Sequence, residues 1–172
     1  MRAVLTAIVA LAGGCSLRPP LPPLELRAGE AFVAGVVSDR TEWKDPVVAI
    51  LFDPPALLPG DWQPVHAGSL VVGNVRPGRV LVTIGRAVHP WLPPRVMAGL
   101  PLDVPGPGCF WFGGVEVRMS PGARVPDLAT FDVDPGPVLA RLAVAAPALA
   151  ECARTVAVLA PDEDHPVVGP AM

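Results

Sequence analysis

The chain has 172 residues, 51% of them hydrophobic, with 13 basic and 16 acidic side chains and a formal net charge of −3, a size that holds one domain with a real core but not two large ones. Its 24 prolines and 17 glycines approach the level of low-complexity disorder, yet disordered chains combine few apolar residues with many charges, so here they punctuate a folded structure. Lys44 is the only lysine and no basic cluster occurs, which excludes the electrostatic footprint of nucleic-acid binding.

Residues 1–14 read as a secretory signal peptide: Arg2, then the ten-residue run from Ala3 to Ala12, then small residues ahead of Cys15. The run is about half the ~20 residues that a membrane-spanning helix needs. Leu11-Ala12-Gly13-Gly14-Cys15 resembles the lipobox of bacterial lipoproteins. In that family the cysteine thiol is diacylated, the signal is cut just before it, and the new amino terminus is acylated in turn. Ala12 stands where the best-known form has Leu, with Leu11 one place further out. The resemblance implies lipidation at Cys15, export to the bacterial cell envelope and attachment to its membrane. Because Ser16 rather than Asp follows the cysteine, it implies the outer membrane where one is present. An ordinary signal peptide cut near Gly14, leaving Cys15 as a thiol, is the alternative.

Residues 15–28 form the expected tether. Pro19, Pro20, Pro22 and Pro23 remove the backbone donors that a helix or central strand requires. An extended polyproline stretch there spans on the order of 30 Å.

From residue 29 to about 160 the pattern is that of a β-sandwich. Short runs rich in Val, Ile, Leu and Phe, bounded by Pro, Gly or Asp, predict strands at 31–37, 47–52, 69–75, 80–85, 110–119, 130–133 and 155–159. Val115, Val117 and Met119 alternate with Glu116 and Arg118, giving one apolar and one solvated face. Pro77-Gly78 suits the centre of a type II turn, as a hairpin or a tight corner. After Asp134-Pro135-Gly136-Pro137, the residues Leu139, Leu142, Ala146 and Leu149 follow helical spacing, and Pro147 is placed to kink or split that segment. The expected fold is therefore mainly β, an antiparallel sandwich of about seven strands with one short C-terminal helical segment. Residues 161–172 are expected as a flexible acidic, Pro-containing tail.

Gly73-Asn74-Val75-Arg76-Pro77-Gly78-Arg79-Val80-Leu81-Val82 resembles the strand-turn-strand of carboxypeptidase-regulatory-like and prealbumin-like modules, with Val80 where those modules usually carry Tyr. Phe131-Asp132-Val133 and Phe110-Trp111-Phe112-Gly113-Gly114-Val115-Glu116-Val117 resemble an aromatic-Gly-strand element of small bacterial lipoproteins built on such a sandwich. The resemblance implies a fold and an accessory role, and it carries over no catalytic residue.

If Cys15 carries lipid, Cys109 and Cys152 remain as a pair in an oxidising compartment, where a disulfide is the expected state and two buried thiols the alternative. For catalysis or metals the residues offer little. His66, His89 and His165 show no ligand spacing. Ser69 lacks the second glycine of a nucleophile elbow and Ser120 precedes Pro121 in a turn. Asp53, Asp61, Asp103, Asp127, Asp132 and Asp134 sit mostly beside Pro or Gly, as turn and capping residues do. Asp162-Glu163-Asp164 reads as a solvated acidic patch. Gly106-Pro107-Gly108 lacks the donors of a phosphate loop. No cofactor, metal or enzymatic activity is expected. Trp43, Trp62 and Trp91 fall in predicted loops, where indoles either stack on a ligand or cap the core. The functional expectation is a lipid-anchored protein with a non-enzymatic accessory or interaction role and an envelope protein or glycan as partner, and the alternative is a carbohydrate- or peptidoglycan-binding module using these tryptophans.

Overall fold

The computed structural model describes residues 27–52, 62–65, 68–89, 92, 94–147, 150–162 and 167–168. Residues 1–14, Cys15, most of the tether, His66, Trp91, Leu149, His165 and the tail apart from residues 161–162 and 167–168 lie outside them, and Val167–Val168 of the expected flexible tail instead pairs with Ala98 and Gly99 as a short strand.

Two sheets face each other. The first has the order β4-β1-β7-β8, built from β1 (Ala31–Arg40), β4 (Ser69–Val75), β7 (Gly108–Arg118) and β8 (Asp127–Phe131), with the two-residue β9 (Ala157–Val158) also paired to β7. The second has the order β10-β6-β5-β2-β3, built from β2 (Val47–Phe52), the two-residue β3 (Gln63–Pro64), β5 (Gly78–Arg86), β6 (Arg95–Val104) and the two-residue β10 (Val167–Val168). Seven of these strands are five residues or longer, which is the β-sandwich that the alternating runs predict.

β6 matches none of the strands expected from the sequence, yet it lies inside the second sheet, between β5 and β10. Prolines 93, 94, 101, 105 and 107 around and within it argue against a central strand, since proline cannot donate to a ladder. The chain solves this by orientation. Pro101 stands opposite Leu81 of β5, and its carbonyl accepts from the Asp162 amide at 2.9 Å on the other side. A strand residue presents its N and its C=O to the same side, so the missing donor falls away from β5 and the ladder stays intact.

Pairing also departs from the all-antiparallel expectation. β1 runs parallel to β7 across the centre of the first sheet, and β9 runs parallel to β7 as well, while the other pairs are antiparallel. Parallel neighbours need a long crossover instead of a hairpin. Here most of the second sheet intervenes between β1 and β7, so nothing local in either strand announces their pairing. The Pro77-Gly78 turn is a corner: it carries the chain from β4 in one sheet to β5 in the other, and Gly78 takes a φ of +131° there.

The aromatic-Gly-Gly stretch of β7 is explained by a bulge. Trp111 pairs with Ala34 and Gly114 with Val36, so Phe112 and Gly113 together oppose Gly35. Gly113 has a φ of +77°, a conformation that costs a side-chain-bearing residue strain. The extra residue reverses side-chain parity. Phe110 and Phe112 point into the inter-sheet core before the bulge, and Val115 and Val117 do so after it. The Phe112 ring covers Gly35 so closely that a Cβ there would lie 2.3 Å from it.

The main core fills the space between the sheets, with Val33, Val37, Val71, Val82, Ile84, Leu100, Leu102 and Phe112 among its members. A second core lies on the outer face of the first sheet. There Phe32, Ala34, Val72 and Trp111 meet Leu139, Leu142 and Cys152 beneath helices α1 (Pro135–Ala145) and α2 (Ala150–Thr155). The Asp134 carboxylate caps α1 by accepting from the Gly136 amide at 2.9 Å, and Pro135 and Pro137 occupy the turn where amides have no helical acceptor to lose. α1 stops at the Ala146 cap, one residue before Pro147, so the proline splits the segment in two. The expected strand at 155–159 reduces to β9, because α2 already takes Thr155.

Candidate functional site

Three places bear on function, and the first is the cysteine pair. Cys109 opens β7 and Cys152 lies within α2. They form a disulfide with the Cα atoms 5.2 Å apart and a separation of 43 positions in sequence. Cys152 is fully buried. The bond fastens the helical layer to the sheet, and on the chain-entropy view a loop of that length is worth about 4 kcal/mol as an upper figure. Cys15 is the third cysteine of the sequence.

The second is the end of the sandwich formed by the β1–β2 and β5–β6 connections. Trp43 is partly buried against the main core, and the Arg86 guanidinium lies over its ring, 5.0 Å from the centroid. Asp45 pairs with the same arginine. Trp62 is 7% exposed and packs with Val48 and Ile50 on the outer face of the second sheet, its ring edge 3.3 Å from where a Cβ on Gly85 would stand. The two indoles thus approach neighbouring residues of β5, Arg86 and Gly85, without forming a shared platform. Val88 and Leu92 in the β5–β6 connection are 54% and 60% exposed. Trp111 is structural: it is buried and donates from Nε1 to the Val133 carbonyl at 3.0 Å.

Gln63 is a functional detail of the fold that the sequence reading did not single out. It is buried, its amide donates to the Val72 carbonyl at 2.6 Å, and its carbonyl accepts from the Val72 amide at 3.2 Å. One side chain thereby supplies both hydrogen bonds of a missing neighbour strand at the free edge of β4. Its only signal in the sequence is a lone amide near a tryptophan.

The third place is a groove of about 400 Å³ beside α1, lined by Val36, Gly68, Leu70, Val138, Arg141 and Leu142. Its floor comes from β1 and β4 and one wall from α1. The lining is apolar apart from Arg141.

Of the residues weighed for chemistry, Ser120 donates to Asp127 at 2.7 Å and Asp134 is spent on a helix cap, while Asp39 accepts from the Thr41 amide in a turn and Asp45 pairs with Arg86. Glu116 accepts from Arg118 and, at 3.4 Å, from Arg40. The Arg118 hydrogen bond, helped by Arg40, holds its carboxyl below its ordinary range against the opposing effect of burial. Among the described residues no three of His, Cys, Asp and Glu gather as metal ligands. No helix there is long and apolar enough to cross a membrane.

Fold and bonds together define a disulfide-stapled β-sandwich with a helical third layer. No family model, curated protein or solved structure matches the chain.

Proposed function

We propose that this chain is a lipid-anchored protein of the bacterial cell envelope with a non-enzymatic accessory or interaction role. The observation that carries the reading is the Leu11-Ala12-Gly13-Gly14-Cys15 run after an apolar segment too short to span a bilayer. The Cys109–Cys152 bond supports it, because that bond suits an oxidising compartment and leaves one cysteine for lipid. Three acyl chains exceed the two signals that stable anchoring requires. The entry into β1 also fits: it lies at the end of the sandwich with the β4–β5 corner and the β6–β7 connection, opposite Trp43, Val88 and Leu92. An anchor at Cys15 would hold those loops away from its membrane, where a protein partner could meet them.

Glycan binding through Trp43 and Trp62 has less support, since Trp62 is spent on packing and Trp43 is covered by Arg86. Mass spectrometry of the mature amino-terminal peptide from a bacterial host tests the anchoring. A Cys15 amino terminus carrying diacylglyceryl and acyl groups is the expected result; an unmodified Cys15 or an intact Met1 overturns the reading.

A further inference from the structure

We propose that the groove between α1 and the first sheet binds one single-chain anionic amphiphile, with its aliphatic part along the apolar lining and its carboxylate on Arg141. This goes beyond the anchoring reading and does not depend on it.

α1 carries almost no charge. Its eleven residues, Pro135 to Ala145, contain Arg141 as their single charged side chain and no acid. Nothing at helical i±3 or i±4 spacing compensates that charge, since those positions are Pro137, Val138, Val144 and Ala145. No carboxylate pairs with Arg141 among the described residues. Yet α1 is an outer layer, with Val144 86% exposed. A helix this apolar is ordinarily buried on all sides. Here one flank borders a cleft whose floor, Val36 and Leu70, stays only partly covered.

Charge and size then choose the occupant. An apolar trough whose rim cation has no acidic partner among the described residues matches a ligand with an apolar body and a single anionic head, because a charge-assisted hydrogen bond to guanidinium is roughly twice as strong as a neutral one. The volume of about 400 Å³ equals that of roughly a dozen liquid waters, so a ligand of about that many non-hydrogen atoms fills it. A medium-chain carboxylate has that size. A bilayer surface does not fit as well, for attraction to anionic lipid grows with the number of basic residues, and this helix offers one on a chain of net charge −3.

The test is calorimetric titration of the full chain carrying Cys15→Ser, with the disulfide intact, against decanoate and the uncharged decanol. Saturable binding of one decanoate per chain is expected, with decanol at least about tenfold weaker, a factor that corresponds to 1.4 kcal/mol. Arg141→Ala should weaken decanoate about tenfold and leave decanol unchanged. Leu70→Trp or Val138→Trp, whichever retains the parent unfolding midpoint, should abolish both by filling the trough. Absence of saturable binding, equal affinity for acid and alcohol, or indifference to Arg141→Ala overturns the proposal. Capture by phosphatidylglycerol vesicles without decanoate binding overturns it too, by assigning the arginine to a bilayer.

Discussion

The two apolar cores of this protein are closed in different ways. The inner core is sealed by two sheets whose central strands pair on both sides, so each buried side chain is held by backbone ladders distant in sequence. The outer core has a sheet on one side and two short helices on the other. Eleven and six residues fall below the length at which isolated helices hold in water. Their order therefore depends on what they bury, chiefly Leu139 and Leu142, and on the bond from Cys152 to Cys109. A strand-built core distributes its support, whereas a helical cover this small needs a staple.

That contrast can be broken most severely at Phe112. Phe112→Ala removes the ring that lies over Gly35 in the inner core, at a cost of about 3–5 kcal/mol. Urea unfolding should show that loss, and amides of both sheets should lose exchange protection together. Protection lost in one sheet alone would mean that the inner core is not a single cooperative unit.

Replacing both Cys109 and Cys152 by Ala should cost up to about 4 kcal/mol, but with a different distribution. Hydrogen exchange should rise in α1, α2 and β9 while β5 and β6 keep their protection. An even loss across the molecule would erase the distinction between the cores.

The smallest effect is expected on the part of the first sheet's outer face that carries Glu116. Its folded carboxyl is held below its ordinary range, first by Arg118 and then by Arg40. A depressed folded value contributes stability that is present above the unfolded value and lost as pH falls through the folded one. Glu116→Gln should therefore lower the unfolding midpoint slightly at neutral pH, with the difference from the parent vanishing in acid. A difference independent of pH would refute the pairing.

Much of the sandwich was legible in the residues. Val47–Phe52 and Ser69–Val75 occupy the predicted spans, because apolar runs bounded by Pro and Gly report burial and interruption directly. The split at Pro147 was legible for the same reason, as one missing donor acts locally. β6 was not, since whether a proline breaks a strand depends on which side its nitrogen faces, and that is set by its neighbours. The bulge at Gly113 hid in plain view: the Gly-Gly pair was visible, but not that it brings Phe112 and Val115 to one face. At the candidate sites, the cysteine pairing followed from the count and from the expectation of an oxidising compartment. The groove did not, for Val36 and Leu70 stand 34 residues apart and far from Arg141 in sequence, and only packing assembles them.

By itself, then, the sequence determined the strand-forming runs, their turns, the capped and split helix and the expectation of an anchor at Cys15, all of which depend on residues close together in the chain. Tertiary structure alone decided that β1 and β7 lie side by side in parallel, that Gln63 completes the edge of β4, that Trp62 packs over the second sheet, and that Arg141 overlooks an apolar trough. The physical reason is common to these. Each depends on which distant surfaces meet, and that is settled by the packing of the whole chain, where no single segment carries the information.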